Sequence, residues 1–313
     1  MTDYTFASAL LNTKSASLLS KPQFRELKTA DDEGYILKLQ SFGYGLDDKS
    51  KAVDAIIAGE VLKLKEELIE IMPYDNLPSF FFTKYDLTNI RSLYKKKFFQ
   101  AETGPFEIAG FLSEKELSQA IIKDDYYGLI EPYKQLITKV DEQFLQDSFE
   151  LVTFIQKTFQ KLLHEQILKR KDSSLEKYFA ISTDINNLLS LLRGRKMKLE
   201  ARMIEENLLE LGSIEISEIK DLLYVSDHEI VTRFSTLYMA RFCEPLERYF
   251  ESGDFATLEH SLLTILLDEL SMDAIDIKSS AAIIMYIIRK QIEIIDIRRL
   301  YLNRDAKLMV EAT

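Results

Sequence analysis

Three short segments of this chain pair an acidic side chain with a second polar side chain three residues later. The pairs, in chain order, are Asp86 with Asn89, Asp184 with Asn187, and Glu293 with Asp296. Residues three apart on an α-helix lie on the same face. Asn and Asp are poor residues for a helix interior, because their side chains compete for the backbone. We therefore expect each motif to lie within a long helix and each pair to make a cross-helix hydrogen bond that offsets that cost, with Asn89 and Asn187 at least partly buried.

The three pairs belong to one longer pattern of acid, two residues, Asn or Asp, an aliphatic residue, two residues and Leu. Its copies occupy residues 86–93, 184–191 and 293–300, at spacings of 98 (184 minus 86) and 109 (293 minus 184). Arg91 and Arg298 hold the same place in the first and third copies. Regular self-similarity at such a period predicts three related helical modules, in which the motif residues have a structural role.

A second register indicates the same repeat. Glu131-Pro132 precedes Asp141, and Glu244-Pro245 precedes Asp254, with both matches displaced by 113 residues (244 minus 131). Two matches at one offset predict that these positions are equivalent in two of the modules.

Composition favours an all-helical chain, since 10 Gly and 6 Pro in 313 residues leave little punctuation for strands and turns. Apolar residues at three and four residue spacing predict a long amphipathic helix over 144–167, beginning with Phe144. Breaks at Gly104-Pro105 and at Gly212 divide the chain into a first module at 1–104, a second at 105–211 and a third at 212–313.

Charge and hydropathy exclude several classes of partner. The chain has 51 acidic against 40 basic residues and a net charge of -11, which argues against nucleic acid and against docking on anionic lipid by charge. The longest apolar run, Ala281 to Ile288, is far shorter than the ~20 residues that span a bilayer. We therefore expect a soluble protein with no direct lipid anchor, which reaches a membrane only through a partner.

The residues that could do catalytic chemistry do not form a known arrangement. His164, His228 and His260 are scattered, and Gly43-Tyr44-Gly45 lacks the rest of a phosphate loop. Cys243 is the only cysteine and lies in a helical apolar pattern. We expect no catalytic residue, no cofactor and no metal, and hence a chain that is not an enzyme.

The three motifs together resemble the C subunit of V-type and A-type ATPases, the family that includes the d subunit of the eukaryotic vacuolar enzyme. The residues that carry the resemblance are the strings 85–91, 184–188 and 293–300, and the similarity covers essentially the whole chain. In the third copy Asp296 replaces the Asn, which puts its hydrogen-bond role in doubt.

The resemblance implies a funnel of three similar all-helical domains around a pseudo-threefold axis. It implies a non-catalytic central-stalk adaptor, cytoplasmic and peripheral to the membrane, which links the rotor shaft subunits to the membrane proteolipid ring. Such an adaptor transmits torque for ion transport or ATP synthesis. Whether protons or sodium ions are transported is left open, because ion choice resides in the ring.

A helical scaffold or adaptor without a rotary role is the alternative, since three modules and no catalytic group would look similar. A soluble helical hydrolase that uses a buried carboxylate pair is a third class, and it would need two acids with perturbed pKa values on facing helices.

Overall fold

The structure, a computed structural model, describes residues 3–45, 52–238 and 240–311. The chain is 74% helical, and no described residue lies in a strand. The prediction of an all-α fold is confirmed. In chain order, the α-helices of the described residues are α1 (Thr5–Lys14), α2 (Lys21–Thr29), α3 (Asp32–Ser41), α4 (Val53–Ile71), α5 (Ser79–Phe99), α6 (Glu114–Ile122), α7 (Tyr133–Asp141), α8 (Ser148–Arg170), α9 (Ser173–Lys196), α10 (Ala201–Asn207), α11 (Ile216–Asp221), α12 (Asp227–Tyr238), α13 (Cys243–Ser252), α14 (Phe255–Leu270) and α15 (Ala281–Glu311).

Short 3₁₀ turns extend or connect some of these helices. They lie at Ser15–Ser17, Leu222–Tyr224, Ala240–Phe242 and Asp273–Ile275. The three motifs lie in α5, α9 and α15, so each is inside a long helix, as predicted.

The chain divides into two compact units by its contacts. One unit is the continuous segment Glu67–Tyr224, and the other combines Thr2–Glu66 with Val225–Thr313. The division into three modules at 104 and 212 remains a prediction. Both positions fall in segments without helix, after α5 and after α10 respectively.

The core of the unit Glu67–Tyr224 is formed mainly by the packing of α5, α6, α7 and α8. Its fully buried members come from all four of these helices and include Ile90, Tyr94, Leu117, Ile137 and Ile155. The Tyr94 hydroxyl donates to the carbonyl of Ile137 at 3.1 Å, which ties α5 to α7 without leaving a buried polar atom unsatisfied.

Helix α8 begins at Ser148, four residues after Phe144, the start of the predicted helix. The reason is the N-cap: the Asp147 side chain accepts hydrogen bonds from the N–H groups of Phe149 and Glu150. Phe144 therefore lies outside the helix and is 90% exposed, so its place in the predicted apolar stripe is wrong.

The core of the other unit joins its two chain segments. Leu27, Tyr35 and Ile56 from the N-terminal segment pack in one cluster with Ile297 of α15. The Tyr35 hydroxyl donates to the Ile297 carbonyl at 2.7 Å. The packing of α14 and of α1 against α15 extends this core. The N-terminal segment is thus held by α15.

The equivalence that we predicted between Asp141 and Asp254 is wrong. Asp141 is the last residue of α7, whereas Asp254 is the N-cap of α14 and accepts from two backbone N–H groups at its start. The cause is loop length: residues 142–147 separate α7 from α8, whereas only Gly253 and Asp254 separate α13 from α14.

Candidate functional site

The first motif binds the backbone of the segment that follows its own helix. Asp86 is fully buried on α5 and accepts from the N–H of Leu112 at 2.9 Å and from the hydroxyl of Tyr133 at 2.6 Å. Asn89 makes two hydrogen bonds with Glu107, donating to its carbonyl at 2.9 Å and accepting from its N–H at 2.8 Å. The two polar side chains thus hold both ends of the stretch 107–112.

The second motif likewise binds backbone that follows its own helix, over the stretch 209–214. Asp184 on α9 accepts from the N–H groups of Ser213 at 2.7 Å and Ile214 at 3.3 Å. Asn187 donates to the Leu209 carbonyl at 2.8 Å and accepts from the Leu209 N–H at 2.8 Å. Asn89 and Asn187 are both buried and hydrogen-bonded, as expected. Their partners, Glu107 and Leu209, lie in segments without helix, so the prediction of a cross-helix hydrogen bond is wrong for these two amides.

The third motif binds the N-terminal segment instead of a segment that follows its own helix. Glu293 on α15 is buried and accepts from the N–H of Leu19 at 2.5 Å. Asp296 contacts side chains: its carboxylate lies 3.0 Å from Nδ1 of His260 and 3.1 Å from the guanidinium of Arg299. The third copy keeps the contact of the acid and changes the contact of the second polar residue.

The three backbone donors occupy the same position relative to the start of a helix. Leu19, Leu112 and Ile214 are each two residues before the first residue of a helix, which is α2, α6 or α11 respectively. We call each arrangement a joint: an acid on a long helix that accepts the N–H of the residue before the N-cap of another helix. The first joint is Asp86 to Leu112, the second is Asp184 to Ile214, and the third is Glu293 to Leu19.

A glycine lies two residues before the donor in the first two joints. A Cβ on Gly110 would lie 2.5 Å from Oδ1 of Asp86, and one on Gly212 would lie 2.0 Å from Oδ1 of Asp184. No side chain fits at either distance, so the backbone approaches the carboxylate only because these residues are glycine. Ser17 has the corresponding place in the third joint. There the acid is Glu, whose side chain is one methylene longer than that of Asp.

Burial shapes the electrostatics of the first two joints. Desolvation raises the pKa of Asp184 to about 6, although the hydrogen bonds from Ser213 and Ile214 favour the charged form and oppose that rise. In the first joint, burial and then the negative charge of Asp86 raise the pKa of Tyr133, so its hydroxyl keeps the proton that it donates. These acids are thus structural acceptors in a dry environment.

The third joint contains a buried cation. Nζ of Lys290 lies 2.8 Å from Glu293, 3.2 Å from Glu60 of α4 and 3.0 Å from the hydroxyl of Tyr44. Burial, followed by the charge of Glu293, raises the pKa of Tyr44. Lys290 is one turn before Glu293 on α15, so the cation and the acid are carried by the same helix.

The two motif arginines have unrelated surroundings. Arg91 is half-buried on α5, and its Nη2 donates to Gln156 at 3.1 Å. Arg298 is exposed on α15 and forms an ion pair with Asp54, in the first turn of α4, at 2.9 Å. The structure therefore brings each acid and Asn of the first two copies to one stretch of backbone, and it brings neither arginine to a joint.

Sequence reasoning missed the partners of the acids. Tyr133, Gly110 and Lys290 each contact a motif acid or make room for it, yet none belongs to the repeated string. Gly212 was recognised only as a break. A signal existed for Gly110 and Gly212, since both lie two residues before an aliphatic residue that precedes a helix.

Other kinds of site are absent from the described ranges. There, no group of three or more His, Cys, Asp or Glu side chains gathers as a metal site would require. In the same residues, no helix has both the length and the apolar character that a membrane span requires.

Comparison with known proteins places residues 7–311 in the family described as ATP synthase (C/AC39) subunit. The chain is 23% identical over 325 residues to the C subunit of the A-type ATP synthase of Thermococcus kodakarensis, covering 95% of this chain and 85% of that protein. It is 24% identical over 327 residues to the C subunit of the A-type ATP synthase of Desulfurococcus sp., with the same coverage of 95% and 85%.

A third relative, the C subunit of the A-type ATP synthase of Thermococcus onnurineus, is 25% identical over 252 residues. That match covers 72% of this chain and 65% of the relative, so it spans a little under two thirds of that protein's length. Because the family match extends over nearly the whole chain, this protein belongs to the ATP synthase (C/AC39) subunit family.

Proposed function

We propose that this chain is a non-catalytic central-stalk adaptor of a rotary A-type or V-type ATPase. It links the rotor shaft subunits to the membrane proteolipid ring and transmits torque between them for ion transport or ATP synthesis. It works on the cytoplasmic side, peripheral to the membrane through the ring. The family, and relatives that are named as the C subunit of an A-type ATP synthase, support a place in such a complex.

The observation that carries the proposal is the joint that recurs three times. The first two joints connect a long helix to the next part of the chain, and the third connects the last long helix back to the N-terminal segment. A series whose last member returns to its start fits three modules, 1–104, 105–211 and 212–313, around a pseudo-threefold axis. A funnel built in this way offers a socket for a shaft end.

The joints also suit a part that bears load. Each acid and each Asn replaces water with fixed backbone partners inside a dry core, so an opened joint leaves a buried group without its partner. Such a penalty makes the connection between modules stiff. In this proposal the motif residues Asp86, Asn89, Asp184, Asn187, Glu293 and Asp296, with Arg91 and Arg298, have structural roles and no catalytic one.

The test is reconstitution of the ATPase in vesicles with and without this chain. Without it, the catalytic head should still hydrolyse ATP while ion pumping stops, and adding back the purified chain should restore pumping. The purified chain alone should have no ATPase activity. Ion pumping that continues normally in its absence would overturn the proposal and favour the helical scaffold without a rotary role.

A further inference from the structure

A cleft of about 380 Å³ opens between α5, α8 and α9, inside the unit Glu67–Tyr224, and its lining includes neither Asp86 nor Asp184. Its volume is in the range of sites that hold small molecules, which begins at about 300 Å³. The proposed adaptor role does not assign a ligand or a partner to this cleft.

The cleft is positively charged in a chain that is strongly acidic. Among the described residues that line it, Lys84 and Arg91 are cationic and none is a carboxylic acid. The whole chain has a net charge of -11. A lining of one sign focuses the field and attracts an anion.

Arg91 is the inner cation of the cleft. Its Nη2 donates to the neutral side chain of Gln156 at 3.1 Å, and its Nε is buried without an acceptor among the described residues. No carboxylate within the described ranges pairs with it, and none contributes to the shift of its pKa. Burial lowers the pKa of Arg91. A half-buried cation without a counter-ion is costly, and an anion that entered the cleft would remove that cost.

The rest of the lining suits an amphiphile. One wall, on α9, carries Ser182, Asn186 and Ser190 at successive turns, which supply neutral hydrogen-bonding groups. The rest of the lining, which we call the floor, is mostly apolar and aromatic. These apolar side chains are Phe80, Leu87, Phe159, Leu163, Ile167, Leu175, Phe179 and Leu209.

We propose that this cleft binds a small amphiphilic anion, a carboxylate or phosphate on an apolar body. The head group pairs with Arg91, and the apolar body lies against the aromatic and aliphatic floor. Lys84 is exposed two turns before Arg91 on α5 and attracts the anion at the opening. The site is independent of the rotary role, so either proposal stands if the other fails.

The direct test is calorimetric titration of the full chain with octanoate, with octan-1-ol as the uncharged match and inorganic phosphate as the head group alone. Octanoate should bind in a saturable way. Octan-1-ol should bind about tenfold more weakly or worse, since it lacks a charged hydrogen bond to Arg91. Phosphate should also bind more weakly than octanoate, since it has no apolar body for the floor.

Variants locate the binding. Arg91→Met should weaken octanoate binding by about tenfold, whereas Arg91→Lys should retain most of it because the charge remains. Lys84→Met changes an exposed residue, so it keeps the test valid if Arg91→Met fails to fold, and it should weaken binding by a smaller factor. The control is Lys96→Met, which removes the same charge from an exposed position of α5 outside the cleft and should change nothing.

Three results would overturn the proposal. They are equal binding of octanoate and octan-1-ol, binding that neither Arg91→Met nor Lys84→Met weakens, and no octanoate binding at all. A short peptide with one Asp between leucines serves as a further probe. If it binds and octanoate does not, the cleft recognises a protein partner and the small-molecule proposal is wrong.

Discussion

The first two joints and the third joint use the same contact with different surroundings. In the first two, an Asp approaches backbone through a glycine, and an Asn three residues later holds a second point on that backbone. In the third, Glu293 makes the backbone contact, Lys290 supplies a buried charge, and Asp296 contacts His260 and Arg299.

The comparison shows which part of the motif all three joints share. All three joints have the acid and the N–H of the residue before the N-cap. The glycine, the Asn and the order of the connected segments differ in the third joint. The third joint also forms between segments 274 residues apart in sequence. Closing a loop of that length costs more conformational entropy than closing the 26-residue interval of the first joint.

The largest expected effect comes from filling the close approach in the second joint. Gly212→Ala places a Cβ against the Asp184 carboxylate, so the hydrogen bonds to Ser213 and Ile214 break. We expect a loss of about 4 kcal/mol in the free energy of unfolding, from overpacking together with unsatisfied buried groups. Urea denaturation measures it.

The matched control is Gly59→Ala, on an exposed face of α4 where a Cβ meets nothing within 4 Å. It should stabilise the chain by about 0.5 to 1 kcal/mol, because Ala is the better helix former. Equal effects of the two substitutions would show that Asp184 does not need the close approach.

The next effect tests the buried Asn of the first two copies of the motif. Asn187→Leu leaves the N–H and carbonyl of Leu209 without their partners, so the free energy of unfolding should fall by about 2 kcal/mol. Asn89→Leu should cost less, because the N–H of Glu107 loses its partner while its carbonyl still accepts from the N–H of Gly110 at 3.3 Å. Asn186→Leu, an exposed neighbour on the same helix, should change stability little. Thermal melts unaltered by the first two substitutions would point to amides that are solvated in solution.

Acid titration should show the buried carboxylate of the second joint. Because the folded pKa of Asp184 is about 6 against an ordinary value of 3.8, the folded chain binds its proton more tightly than the unfolded chain. This group therefore makes stability fall as pH rises from about 4 to 6, on the order of 2 kcal/mol. Asp184→Asn should remove that part of the pH dependence. Wild-type and variant curves that stay parallel across this window would contradict it.

A smaller effect tests whether the third joint can be converted into the form of the other two. Glu293→Asp shortens the acid and should cost about 1 to 2 kcal/mol through the lost contact with Leu19. Ser17→Gly should cost less in that background than in the wild-type chain, since glycine lets the backbone approach the shorter acid. Double-mutant analysis should give a coupling of about 1 kcal/mol. A coupling of zero would mean that Ser17 and Gly110 are not equivalent.

The sequence predicts the all-helical class, the position of the motifs in long helices, and the burial of Asn89 and Asn187, because spacing and propensity are local properties. It does not predict that the motif side chains bind backbone groups, because every residue has a backbone N–H or carbonyl and residue types do not show which of them is bound. The contact between Glu293 and Leu19 is not predictable from the sequence either, since no local pattern joins segments that are 274 residues apart. The predicted equivalence of Asp141 and Asp254 fails because the loops differ in length, so identical residue types lie at different structural positions.

Amide hydrogen exchange at Leu19, Leu112 and Ile214 tests most directly whether the three joints are equivalent. All three N–H groups should exchange slowly, because each donates to a buried acid. Asp86→Ala, Asp184→Ala and Glu293→Ala should each speed exchange at the matching amide, Leu112, Ile214 or Leu19, and leave the other two slow. Fast exchange at any of the three in the wild-type chain, or loss of protection at all three in every variant, would show that the three joints are not equivalent.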